Sequence, residues 1–155
     1  MSDRSVTVER VIDAPPEEIF AIVADPARHP DIDGSGTVKG TTDGRPITAV
    51  GQKFGMKMRL GTPYRSHNTV VEFYPDRVVA WKPLIEAGPV VLLGGQRWRY
   101  ELEPQDDGKT LVRETYVWGE ARFANVLKML RYPERTKPNM EKTLERLAHL
   151  VEKKG

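Results

Sequence analysis

The sequence places one carboxylate among aromatic rings. Residues 94–104 read GGQRWRYELEP and residues 110–118 read TLVRETYVW. Alternation along a β-strand puts Trp98, Tyr100 and Leu102 on one face of the first segment, with Arg97, Arg99, Glu101 and Glu103 on the other. The turn between the two segments decides what joins the rings. A two-residue turn at Asp107-Gly108 sets Tyr100 opposite Thr115; a three-residue loop, Asp106 to Gly108 with a left-handed glycine, sets it opposite Glu114. The three-residue loop is favoured, because it gathers Val112, Glu114, Tyr116 and Trp118 on the aromatic side and leaves Arg113 in water. A carboxyl group among indoles and phenols needs polar partners. Such a group suits two kinds of chemistry: orienting a bound molecule, or moving a proton as an acid or base, for which Glu114 is the candidate.

Other side chains extend this surface. In FGMKMRL, Met56 and Met58 share a face with Phe54 and Leu60, opposite Lys53, Lys57 and Arg59. Methionines adapt to an irregular ligand and equally fill gaps in a solid core. In the next segment Val70 and Val71 point oppositely, so either Asn68 and Glu72 or His67 and Phe73 face inward. Arg10 shares parity with Val6, Val8 and Ile12. A buried arginine must be paired, with Glu114 the partner to test, but a bulge that turns it outward is the better expectation. Glu86 to Gly95 sets an apolar tetrad between glycines; it reads as a hairpin connection continuing the strand, or as a flexible lip over a cavity mouth.

Several chemistries lose support. Without cysteine there is no thiol nucleophile, thiolate site or disulfide framework, which fits a reducing, cytoplasmic setting. His29, His67 and His149 lack a second ligand at metal-site spacing, and HPDID, from His29 to Asp33, reads as a loop whose aspartates cap short helices, so no metal and no cofactor are expected. Neither GSG nor GGQ leads from a strand into a helix bearing a lysine, which excludes a phosphate loop. With 24 basic and 22 acidic side chains, and cations interleaved with Glu101 and Glu103, nucleic acid is not an expected partner. Apolar runs are too short for stable membrane insertion, and the amino terminus lacks the apolar core of a signal peptide.

The elements that position these residues follow from periodicity. The 155 residues suffice for one domain, 1–155, with its own core. Ser5 to Asp13 alternates as a strand and stops at Ala14-Pro15-Pro16. Pro16 to Ala24 reads as a helix with Glu17 and Glu18 in its first turn and an apolar stripe of Ile19, Phe20 and Val23. A turn-rich piece and six further strand segments follow, at 37–41, 53–60, 64–74, 77–84, 96–103 and 110–118. Helical spacing returns with Phe123, Val126, Leu127 and Leu130; Pro133 and Pro138 then predict a kink or break. Asn139 is a plausible N-cap for a last helix whose stripe is Met140, Leu144, Leu147 and Val151. This is an α+β order in which the last helix is the largest apolar surface available to cover the sheet.

VERVIDAPPEEIFAIVADPARHPDIDGSG, NTVVEFYPDRVVAW, WRYELEP and DDGKTLVRETY resemble the START-related SRPBCC superfamily, in its polyketide cyclase/dehydrase and lipid transport branch. The resemblance implies a helix-grip fold, a curved seven-stranded antiparallel sheet wrapped around a long C-terminal helix, with two short helices after the first strand and an apolar cavity inside. It also implies that Trp81 points inward. The expected function is binding or carriage of a small lipophilic molecule: a polyketide, fatty-acid-like or aromatic compound lined by Met56, Met58, Trp81, Trp98, Tyr100, Glu114, Tyr116, Met140 and Leu144. Two rivals stand beside it, a polyketide aromatase/cyclase or dehydratase using Glu114 or a tyrosine, and a protein-interaction module using the last helix or residues 86–95.

Overall fold

The computed structural model describes residues 4–41, 44–60, 62–87, 90–120 and 124–152. Strand β1 (Ser5–Ile12) hands over at the prolines to helix α1 (Pro16–Val23), followed by a 3-10 turn and the short helix α2 (His29–Ile32). Then come β2 (Val38–Thr41), β3 (Lys53–Leu60), β4 (Thr62–Tyr74), β5 (Val78–Ala87), β6 (Val90–Gly94), β7 (Arg97–Pro104) and β8 (Thr110–Val117). Helix α3 (Ala124–Met129) and the long α4 (Tyr132–Val151) close the chain. HPDID is therefore a short helix and its exit rather than a loop. Asp25 caps the preceding 3-10 turn by accepting from the Ala27 amide at 3.1 Å.

Seven strands form an antiparallel path in the order β1-β8-β7-β5-β4-β3-β2, and β6 folds back onto β5 as an eighth. The connection after Glu86 thus contains a hairpin that continues β5; the side chains of residues 86–94 lie outside the described residues. Tyr100 pairs with Glu114 and Pro104 with Thr110, and Gly108 is left-handed at φ 82°. The three-residue loop sets the face.

The ambiguous strand resolves through a bulge. Register slips between Val70 and Glu72, so Asn68 and Val70 are buried on the inner face, and beyond the slip Phe73 turns inward to meet Phe20 with ring centroids 5.7 Å apart. One member of each alternative pair therefore faces in. Arg10 needs no bulge to leave the core: β1 keeps unbroken register with β8, and as the edge strand it lets a long side chain reach past the rim into water. It is exposed and not paired with Glu114.

The convex face is a charge lattice. Glu72 of β4 accepts from Arg97 at 3.0 Å and Arg99 at 3.1 Å, both on β7, two strands away. Ala80 of β5 pairs with both Glu72 and Arg99, is fully buried, and is short enough for the ion pairs to close above it. Arg113 continues the lattice to Glu9, Glu101 and Glu103.

The expected break falls ahead of Pro133, between the end of α3 at Met129 and the start of α4, and not at Pro138. Helix α4 runs through Pro138 and begins at Tyr132, after left-handed Arg131 and with Pro133 in its first turn; Asn139 is interior, its carbonyl accepting from the Thr143 hydroxyl at 3.0 Å. Pro138 lies on the exposed side, where the carbonyl it leaves unbonded can be hydrated, while Thr136, Met140, Thr143, Leu144, Leu147 and Ala148 are buried on the other. The stripe predicted for this helix is present, with Val151 half-buried. Phe123 of the preceding stripe lies outside the described residues, and Leu130 is exposed rather than covered.

The connection from α2 to β2 is pinned onto α4. The Gly34 amide donates to Thr143 Oγ1 at 2.9 Å and Arg146 donates to the Asp33 carbonyl at 2.9 Å. A Cβ on Gly34 would overlap the Asn139 carbonyl oxygen and lie 2.9 Å from both Lys142 Cβ and the Thr143 nitrogen. Backbone cannot yield as a flexible side chain can, so Gly34→Ala is expected to cost about 2–3 kcal/mol, read by urea denaturation.

Candidate functional site

The inner face of the sheet does not meet α4 everywhere. Between them is a cavity of about 460 Å³, floored by β3, β4, β5, β7 and β8, roofed by α4 from Arg135 to Thr143, and walled on one side by His29, Ile32 and Asp33. Of the side chains predicted to line it, Met56, Met58, Trp81, Trp98, Tyr100, Glu114 and Met140 do. Tyr116 and Leu144 do not: both are almost fully buried behind the wall, and Tyr116 stacks against its cross-strand neighbour Trp98 at 4.5 Å between centroids. Trp118 is also buried away from the cavity, in the 3-10 turn after β8, with the Arg4 guanidinium 5.0 Å over its ring.

An aromatic file holds the polar end in place. His29 stacks on Trp81 at 5.1 Å, Trp81 stacks on Tyr100 at 5.9 Å, and Phe54 meets the edge of Trp81 at 5.7 Å. The file fixes the phenol of Tyr100, which donates to Glu114 Oε2 at 3.1 Å. The other oxygen, Oε1, is buried with no hydrogen-bond partner.

Glu114 is 3% exposed, and burial pushes its carboxyl up to about 8; the Tyr100 hydrogen bond opposes this and the charge of Asp33 adds to it. The carboxyl is therefore mostly neutral at pH 7, an O–H donor rather than an anion. Burial, reinforced by Glu114, likewise holds the Tyr100 phenol well above its ordinary value, so it stays protonated. Burial lowers His29, whose Nε2 sits 2.9 Å from the Val23 carbonyl; this geometry fixes the neutral tautomer with the proton on Nε2 and leaves Nδ1 as an acceptor. Buried Asn68 donates to the Phe54 carbonyl and to Ser66 Oγ, both at 3.2 Å. Among the described residues no cluster of three His, Asp or Glu side chains could hold a metal ion.

Sequence reasoning missed His29, Asp33, Ser66, Thr136 and Thr143 as lining residues. A signal for two of them was present: Thr136, Met140 and Thr143 recur at helical spacing, so the stripe of α4 turns polar where it faces the cavity and apolar beyond it.

A curved antiparallel sheet closed over a long terminal helix, with a cavity between the two, defines a helix-grip architecture. The chain belongs to the polyketide cyclase/dehydrase and lipid transport family, whose model matches residues 3–152. The uncharacterized protein Rv0088 of Mycobacterium tuberculosis is 40% identical over 141 residues, covering 87% of this chain and 58% of the relative. The chain thus spans little more than half the length of that relative. Among solved structures, protein CV1439 from Chromobacterium violaceum superposes with a TM-score of 0.73 at 18% identity, over 99% of this chain and 100% of that one. DynU16, described as a putative protein in the dynemicin biosynthetic locus, superposes with a TM-score of 0.65 at 16% identity, over 97% of this chain and 48% of its own. These similarities establish a common fold. No described helix is long and apolar enough to cross a membrane.

Proposed function

We propose that the protein binds a small lipophilic molecule in the cavity under α4, oriented by an uncharged hydrogen-bond acceptor, such as a ketone or ester carbonyl, facing Glu114. The observation that carries this reading is the cavity itself, about 460 Å³ walled by Met56, Met58, Trp81 and Trp98 and holding one buried oxygen without a partner. Hiding about 200 Å² of apolar ligand surface would contribute roughly 5 kcal/mol, at ~25 cal/mol per Å². The acid supplies direction. A free carboxylate fits the same end poorly, because Asp33 also lines it.

The family description and the fold support this reading and leave the ligand to experiment. Native mass spectrometry of the protein from its own source, followed by a thermal-shift panel of ketones, esters and fatty acids, tests it. Met58→Trp fills space from a half-buried wall position and is expected to lower affinity at least 100-fold while leaving the unfolding transition cooperative. Undiminished binding by that variant would place the ligand elsewhere.

A second reading has one specific observation in its favour. An acid poised near neutrality with a free oxygen suits proton transfer to a polyketide-like chain, as cyclisation or dehydration requires. Glu114→Gln keeps a donor and removes the ionisable acid proton, so it spares a carrier and disables an enzyme. The interaction-module reading loses the surface it needed on α4, since the apolar stripe of that helix is buried in the core.

A further inference from the structure

The turn between α3 and α4 reads Lys128-Met129-Leu130-Arg131, and its two apolar side chains are 81% and 59% exposed. A single exposed leucine is ordinary. Two adjacent apolar side chains, held outward between exposed Lys128 and Arg131, form a different pattern. The turn is defined: Arg131 is left-handed at φ 57°, its amide donates to the Lys128 carbonyl at 3.1 Å, and its own carbonyl accepts from the Arg135 amide at 3.1 Å. From Lys128 to Lys137 the chain carries four cations against one carboxylate, Glu134. One helical turn beyond Arg131, Arg135 and Thr136 already line the cavity.

We propose that this turn docks the protein on an anionic lipid bilayer, with Met129 and Leu130 entering the interfacial region, the flanking cations facing lipid phosphates, and the neighbouring end of the cavity brought to the membrane surface. Charge and size select this occupant over the alternatives. A second copy of the chain, meeting this patch about a two-fold axis, would bring two sets of cations together. A stable protein partner needs roughly 800 Å² per side, far more than two side chains offer. A bilayer requires only shallow insertion of apolar tips together with attraction of nearby Lys and Arg to anionic headgroups.

The test is co-sedimentation of the full chain with vesicles of phosphatidylcholine alone, or with about one third phosphatidylglycerol. Binding is expected to the anionic vesicles, weakened by salt. The double variant Met129→Ser/Leu130→Ser and, separately, Lys128→Glu/Arg131→Glu are each expected to lower partitioning at least tenfold with unchanged thermal unfolding, because all four side chains are exposed. Lys53→Glu/Lys57→Glu, on the convex face, should leave it within twofold. Absence of wild-type binding to anionic vesicles, or equal loss in all three variants, would overturn the proposal. A dimer dispersed by the serine variant would also overturn it, by assigning the turn to a second copy. Affinity for a dissolved ligand, measured without vesicles, is independent of every one of these outcomes, so failure here leaves the cavity reading standing.

Discussion

Glu114 is expected to lower wild-type stability by about 4 kcal/mol between pH 5 and pH 8–9, and Glu114→Gln is expected to remove that contribution. The sign follows from the buried acid. Its carboxyl is raised from 4.5 in an ordinary setting to about 8 in the folded protein. Below pH 4.5 folded and unfolded chains both hold the proton, and the group contributes nothing to the slope. Between these values the unfolded chain releases a proton that the folded chain keeps, and stability is lost at about 1.36 kcal/mol per pH unit. Above pH 8 both forms are ionised and the full penalty of a buried charge remains. His29 acts in the other direction at the acid end: its lowered value makes the folded state lose stability as pH falls below 6.5. The difference between wild type and Glu114→Gln, followed by urea denaturation from pH 5 to 9, cancels that contribution and isolates Glu114. Parallel profiles across this range would show that the carboxyl is solvated, and would remove the physical basis for treating it as a neutral donor.

The same residue shows how far the sequence is readable. A period of two fixed which side of β7 was aromatic, and the chemistry of a three-residue turn with Gly108 left-handed fixed Glu114 as the partner of Tyr100, because the alternative register buried Arg113. Local rules sufficed there, since one-residue slips carry a large and visible cost. They did not suffice at Val71, where a bulge switches the inward parity within one strand. Before the bulge Asn68 faces in, and after it Phe73 does, so neither uniform alternation describes β4. Pro138 misled for a related reason. Its cost to a helix is local, about 3 kcal/mol in an isolated interior, whereas α4 is held along its length by burial of Met140, Leu144 and Leu147 against the sheet.

The cavity was the least legible feature, because a face of Trp98, Tyr100 and Tyr116 reads identically whether helix or empty space lies opposite. What separates the two is depth. Tyr116 and Leu144 sit where α4 touches the sheet, and Trp98, Tyr100 and Met140 sit where the helix stands away from it. His29 was missed because its role depends on a stacking partner 52 positions later, Trp81, which no local pattern connects to it.

Ligand affinity is expected to be flat from pH 6 to 7.5 and to weaken about tenfold for each unit above pH 8, whereas Glu114→Gln is expected to bind with no such dependence. A protonated Glu114 has its hydrogen free for Oε1, since Oε2 already accepts from Tyr100, so an acceptor on the ligand pairs the buried oxygen that has no partner among the described residues. Loss of that proton replaces a donor with a second acceptor facing the first. Tyr100 cannot compensate, because its raised value keeps its single hydrogen committed to Glu114 across this range, and the Nε2 hydrogen of His29 is committed to the Val23 carbonyl. The glutamine amide donates at every pH and has no such limb. An amine ligand would give the reverse slope: an ammonium group stabilises the carboxylate, releases the proton on binding and gains affinity as pH rises towards 8. Isothermal titration in two buffers of different ionisation enthalpy reads the proton count directly. Uptake or none, with an alkaline loss of affinity, identifies a neutral acceptor; release, with an alkaline gain, identifies a cation and would overturn the carbonyl assignment.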